Sequence, residues 1–250
     1  ILLELRSSSA DAIREVRARD GLTPKRPVPV IAPVHVARIA MKIFPVARIA
    51  LNGNTTNRKE MLLGLYQSSG EAEGIYDVQP AVIDEMLLKV SSTLSKKEIL
   101  EAKMILSAEA RIMSRTSSPN LIPVKNGIFD RETNELRPFD PDFVFLSKLP
   151  VPYVAEAKNP TFKLADGSEW DFDSWLSDLF NDDEGLVKLM WEIFSAVIRP
   201  TESWEKMIWF YDEHGNSGKS TVLRLLGALV DPRNTVSMSI DSFSSRYLPP

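Results

Sequence analysis

The sequence predicts an α+β domain of helices and β-hairpins, followed by the opening of an α/β domain. Three observations carry this. Apolar residues recur at helical spacing after Pro80, after Ser95 and after Asp171. Short apolar runs alternate with Gly-, Ser- and Asn-rich turns between residues 60 and 145. An apolar run, a small-residue loop and an amphipathic helix then follow one another over residues 206–230.

Among the 250 residues, 44% are hydrophobic and 26% charged, the composition of an ordinary globular protein with a buried core. No cysteine is present, which excludes disulfide scaffolds, thiolate nucleophiles and cysteine-ligated metals. Two histidines, His35 and His214, leave almost no material for a histidine metal centre or a serine triad. No apolar run approaches the roughly 18 residues of a membrane span. The chain begins at Ile1 rather than Met, as a fragment would.

The net charge is −4, which argues against a whole surface that coats nucleic acid. The distribution is uneven. Residues 1–50 hold nine basic and four acidic side chains, whereas residues 151–200 hold four and ten. The basic front has two open readings, a DNA-contacting segment or a solvated helix and linker. The acids near residue 180 sit at expected helix starts, where the backbone dipole favours them.

Residues 1–20 read as a charged amphipathic helix, and the prolines from Pro24 to Pro33 as an extended linker. Residues 34–66 read as short strands and turns. Leu62–Tyr66 and Ile75–Val78 flank a Gly- and Ser-rich turn, which predicts a hairpin. Pro80 opens a helix with Ile83, Met86, Leu87 and Val90 on one face. Ser95 and Glu98 form a capping-box pattern before a helix expected to reach about Arg115. Its charged side chains read as a solvated face. Leu121–Val124, Asn126-Gly127 and Ile128-Phe129, then Arg131–Asn134 and Leu136, predict strand, turn, strand, turn, strand. The prolines from Pro138 to Pro160 break any long strand. Trp175, Leu176, Leu179 and Phe180 mark one helix; Asp183 precedes a second that ends before Pro200. The five tryptophans are expected in the packing.

The chemistry concentrates in residues 206–230. Met207–Tyr211 suits a buried strand, His214–Gly218 is a loop of small residues, and Lys219-Ser220-Thr221 opens a helix. Strand, glycine loop, Gly-Lys-Ser and helix is a phosphate-binding arrangement. Small residues let the backbone curl so that several N–H groups converge at a helix N-terminus, a concave anion site. Gly218 would let the chain approach the phosphates closely, with Gly215 and Asn216 supplying the tight turn. Lys219 would reach the β- and γ-phosphates, and Ser220 would offer its hydroxyl to Mg²⁺. The full pattern wants glycine where Glu213 stands, and a negative side chain there is tolerable only if it turns to solvent.

The loop, together with Asn126–Asp130, Thr133–Pro138, Lys148–Tyr153 and Trp175–Phe180, resembles the phage and plasmid primase-helicase family. The ATPase of that family belongs to the superfamily 3 helicases. The resemblance implies a basic N-terminal segment and linker over residues 1–50 and a helical and β-hairpin collar domain over 51–200. It implies the first part of an AAA+-like P-loop ATPase domain over 201–250. It further implies ATP and Mg²⁺ as cofactors, a backbone cradle of Gly215, Asn216, Ser217, Gly218 and Thr221, Lys219 and Ser220 as catalytic groups, DNA as partner and a hexameric ring. The cell would be a phage-infected or plasmid-bearing host, the compartment cytoplasmic. A Walker B acidic pair, a sensor and an arginine finger belong downstream of the loop in that family. Val236–Ile240 before Asp241 reads as an ordinary strand instead. The expectation is therefore weak ATP hydrolysis by this chain alone. The alternative is a non-catalytic module of such a protein, for assembly, DNA loading or regulation.

Overall fold

The computed structural model describes residues 31–51, 60–199, 204–213, 215, 217–239, 241 and 242. The expected helix over 1–20 and the proline run up to residue 30 lie outside the described residues. So do His214, Asn216 and Ile240. The described structure is mixed α+β and divides into two compact units. One unit runs up to Thr116 and includes Phe139–Leu146; the other comprises Ser117–Pro138 and Ser147 onward. Segment 51–200, expected as one domain, thus contributes to both.

The first unit opens with α1 (Pro33–Ile43), where short strands were expected. Pro33 at the first helical turn fixes a helical φ, and Val36, Ala37, Ile39 and Ala40 all fall on one buried face. Alternation was the wrong period for this run. Next come β1 (Val46–Ala50), β2 (Leu62–Tyr66) and β3 (Tyr76–Asp77). The expected hairpin is present, with Leu65 opposite Asp77 and Tyr66 opposite Tyr76. Helix α2 (Pro80–Val90) buries the four expected residues, Ile83, Met86, Leu87 and Val90.

Helix α3 (Lys96–Glu109) carries the full capping box at Ser95 and Glu98. It ends earlier than expected. Ala110 turns extended, and Arg111–Ser114 forms β4, parallel to β1. An open sheet edge offered these residues backbone partners that helical periodicity does not register. The sheet order is β3-β2-β1-β4. Its β1 is buried along its whole length, because both faces are covered. Val46 packs with Val36, Leu87 and Leu106 of the helices, whereas Ala47 and Ile49 pack with Tyr76, Met113 and Val144. The charged face of α3 is only partly solvated. Glu109 accepts two hydrogen bonds from the Arg38 guanidinium, at 2.8 and 3.0 Å, and Lys103 donates to Asp84 at 2.8 Å. These pairs join α3 to α1 and α2.

Segment Phe139–Leu146 joins this unit through its backbone. The Tyr76 amide donates to the Phe145 carbonyl at 2.8 Å and the Tyr76 hydroxyl to the Pro141 carbonyl at 2.7 Å. The Val144 amide donates to Thr116 Oγ1 at 2.8 Å, and Thr116 returns a bond to the Val144 carbonyl at 3.0 Å.

The second unit begins with a three-stranded antiparallel sheet, β5 (Leu121–Val124), β6 (Gly127–Asp130) and β7 (Glu135–Arg137). The hairpin turns at Lys125-Asn126, one residue before the expected Asn-Gly. The Asn126 carboxamide clasps the Tyr153 backbone, donating to its carbonyl at 3.0 Å and accepting from its amide at 2.9 Å. A second hairpin, β8 (Thr161–Lys163) with β9 (Glu169–Asp171), follows the proline run. Its three-residue strands were hidden by that proline density.

Asp171 and Asp183 cap α4 (Phe172–Leu179) and α5 (Glu184–Val197), each side chain accepting from first-turn amides. Asn181 and Asp182 take left-handed conformations and form the turn between them. Helix α6 (Lys219–Val230) completes a core of Leu176, Met190, Ile193, Phe194 and Val222, with Leu225, Leu226 and Leu229 against it. Among the described residues, no helix is long and apolar enough to cross a membrane.

Two expected strands are not formed. Met207–Tyr211 carries no strand pairing among the described residues, and Met207, Trp209 and Tyr211 are exposed by 66%, 69% and 86%. Residues 236–239 are likewise unpaired, with Val236 exposed. An apolar run becomes a buried strand only where neighbouring strands take its N–H and C=O groups and cover its faces. No described strand does so here. Exposed Trp191, Trp204 and Trp209 also depart from the expected tryptophan packing. Trp204 lies beneath the Arg199 guanidinium, 4.5 Å from its ring centre.

Candidate phosphate-binding site

The site is built around the start of α6. Gly218 is its N-cap and adopts φ +76°. Only glycine takes this conformation without strain. A Cβ at Gly218 would also lie 2.6 Å from Leu179 Cδ1, so the loop rests against the end of α4 as only a bare backbone allows. Gly215 adopts φ +77° in open space. Asn216, the third cradle residue expected here, lies outside the described residues.

Lys219 is the first residue of α6, and its ammonium donates to Ser217 Oγ at 2.8 Å and to Asp212 Oδ2 at 3.3 Å. The Ser217 side chain and the Gly215 backbone also favour the charged form of the Asp212 carboxylate. Burial works to raise the Asp212 pKa, but these hydrogen bonds and the Lys219 charge outweigh it and hold the carboxyl below its ordinary value. Ser220 and Thr221 are exposed on the first turn. The Thr221 and Val222 amides donate to the Gly218 carbonyl at 2.9 and 3.0 Å. No described carbonyl accepts from the Lys219 and Ser220 amides, which are first-turn donors of α6. Glu213, standing where the pattern wants glycine, is exposed.

The arrangement brings the Lys219 ammonium onto the Asp212 carboxylate and the Ser217 hydroxyl at a helix N-terminus. That set of donors suits an anion. The role of Asp212 was not legible in the sequence. Its contact follows from a loop whose two ends meet in space. Beside the loop lies a cleft of about 370 Å³ whose lining includes the α4–α5 turn, residues 208–212, Ser217 and Lys219. Its walls include Leu186 and Leu189, two members of the α5 stripe that stay exposed.

Comparison with known families adds one finding. Residues 75–181 match the family model described as D5 N terminal like. The match supports the resemblance to primase-helicases for this stretch. It covers less than half of the chain and includes Asn126–Pro138, Lys148–Tyr153 and Trp175–Phe180. The D5 N terminal like stretch begins at β3 and ends in the α4–α5 turn, so the loop at residues 212–221 lies beyond it. No curated protein matches the chain.

Proposed function

We propose that the chain is part of a phage or plasmid primase-helicase, and that its loop at residues 212–221 holds the phosphates of ATP-Mg. The D5 N terminal like match carries the family reading. The donor set around Asp212 supports the phosphate reading, because it is assembled for a negative charge and already binds one. In this reading the Lys219 ammonium leaves Asp212 and takes the terminal phosphates. The Gly215, Lys219 and Ser220 amides line the cradle with Ser217, Asn216 and Thr221. Ser220 then offers its exposed hydroxyl to Mg²⁺, a hard oxygen ligand for a hard cation. Residues 201–250 would open an AAA+-like ATPase domain, with the protein working as a hexameric ring on DNA.

A second reading keeps the same protein type without turnover by this chain: an assembly, loading or regulatory module. The engagement of Lys219 by Asp212 favours it, since the cation that would meet phosphate is already paired.

Titration calorimetry of the chain and its Lys219→Ala variant with Mg-ATP tests the loop. Saturable binding lost by at least about tenfold in the variant supports it. Equal binding by both rejects it. Sedimentation with DNA and Mg-ATP tests the ring, and steady-state ATP hydrolysis separates the two readings.

A further inference from the structure

The run Met207–Tyr211 has the residue types of a strand but no strand beside it. Its side chains are apolar or aromatic, with no charge, glycine or proline among them. The backbone makes no turn or bend from Trp204 to Asp212. No amide or carbonyl from Met207 to Tyr211 has a backbone partner among the described residues. Met207, Trp209 and Tyr211 are exposed, whereas Phe210 packs against the core of α4, α5 and α6. Unpaired backbone of this kind is an open template for a further strand. We infer that this run pairs with the same run of a second copy of the chain, as two antiparallel strands centred on Trp209.

The charges flanking the run select the partner and the register. Lys206 precedes it and Asp212 follows it. Two copies in parallel register would set lysine against lysine and aspartate against aspartate, which repel. In the antiparallel register centred on Trp209, Lys206 lies opposite the partner's Asp212, and Met207 opposite the partner's Tyr211. Lys206 is exposed and has no ionic partner among the described residues, so it is available for this pairing. Glu205 takes φ +46° and ends the extended stretch, which leaves the like-charged Glu205 and Glu213 outside the ladder. A two-fold axis through Trp209 closes the assembly at two copies.

Pairing also acts on the loop, a consequence that rests on the phosphate reading of Lys219. Within one chain, Asp212 engages Lys219 at 3.3 Å. In the pair, the partner's Lys206 competes for the same carboxylate, and Lys219 is released towards an anion. Self-association and phosphate binding therefore strengthen each other, as linkage requires. The run at the same time gains a strand neighbour, which the strand ahead of a phosphate loop needs.

The chain has no cysteine, so introduced cysteines report the register cleanly. Directly opposed residues of antiparallel strands have Cα atoms about 4.5–5.5 Å apart, within disulfide reach. Trp209→Cys is expected to cross-link with itself under copper phenanthroline. Met207→Cys and Tyr211→Cys are each expected to stay uncross-linked alone and to cross-link when mixed. All three side chains are exposed, so the substitutions leave the core intact. In sedimentation velocity, Lys206→Asp and Asp212→Lys are expected to be monomers separately and to form a dimer when mixed. Cross-linking of all three cysteine variants alike, or of none, overturns the pairing. So does a wild type that stays monomeric over a roughly hundredfold range of concentration. The Lys219→Ala test of the loop stands apart from these outcomes. Calorimetry with tripolyphosphate reads the coupling: the cross-linked Trp209→Cys dimer is expected to bind at least about threefold more tightly than the same variant kept reduced. Equal affinity overturns the coupling. Cross-links in the expected pattern with no tripolyphosphate binding by either form uphold the pairing and reject the phosphate reading.

Discussion

The Lys219 ammonium and the Asp212 carboxylate lie 3.3 Å apart across the mouth of the loop, with Ser217 between them. Asp212 thus occupies the position of an anion. The pair is partly exposed, so solvent and salt weaken it and leave it exchangeable. Asp212→Asn would remove the competing charge and keep the shape. Affinity for tripolyphosphate is expected to rise roughly threefold to tenfold, as measured by calorimetry at fixed ionic strength. An affinity that falls would mean that Asp212 supports the cradle rather than competes within it.

Gly218 meets two demands at once, the left-handed φ and the close approach of Leu179. Gly218→Ala is expected to destabilise the second unit by about 1–3 kcal/mol and to abolish phosphate binding. Gly215→Ala carries the φ penalty in open space and is expected to lose about 1 kcal/mol. Thermal unfolding followed by tryptophan fluorescence reads the second unit, since all five tryptophans belong to it. Equal shifts for the two variants would show that the Leu179 contact carries no weight.

The capping box at Ser95 makes a separate expectation in the first unit. Ser95→Ala removes the hydroxyl that accepts from the Glu98 amide at 3.4 Å and donates to the Glu98 carboxylate at 2.7 Å, leaving that carboxylate only the bond it accepts from the Ser95 amide at 2.8 Å. The loss is expected to be about 1 kcal/mol in chemical denaturation, with no change in nucleotide affinity. No loss of stability at all would mean that the start of α3 is held by its packing alone.

Tyr76 gives the first unit a pH signature. Burial pushes its hydroxyl up to about 12, with Arg111 opposing and Tyr66, Asp142 and Asp140 adding to the shift. The folded state holds this proton more tightly than the unfolded chain. Its contribution is therefore complete below pH 10, near the ordinary tyrosine value, and is lost as pH rises towards about 12. Denaturation midpoints should fall across that alkaline window in the wild type and fall less in Tyr76→Phe. At neutral pH the variant should lose about 1 kcal/mol with the bond to the Pro141 carbonyl. Parallel pH curves for the two proteins would rule out Tyr76 as the source.

Much of the fold was legible because local rules were sufficient. Pro80 and the apolar spacing behind it fix α2, Ser95 and Glu98 fix the start of α3, and Asp183 fixes the start of α5. The runs around residues 62–78 and 121–137 pair as hairpins because their partners follow one another along the chain. The misreadings share one cause. Val34–Ile43 has enough apolar residues for either period, and the packing of α1 against α3 decided for helix. Arg111–Ser114 continues a helical pattern in sequence, yet β1 supplied a parallel partner about sixty residues upstream. Met207–Tyr211 has the composition of a strand, but no described strand lies beside it to make it one.

For the candidate site the division is similar. Residue types alone determined Gly218, Lys219 and Ser220 as the start of a helix that follows a small-residue loop, because that chemistry is local and rests on backbone amides and one flexible cation. Only the tertiary structure decided what Lys219 touches, that Leu179 closes on Gly218, and that Leu186 and Leu189 share a cleft with Trp209. Those contacts join segments up to 39 residues apart, and proximity across such a distance comes from packing, which no window along the chain contains.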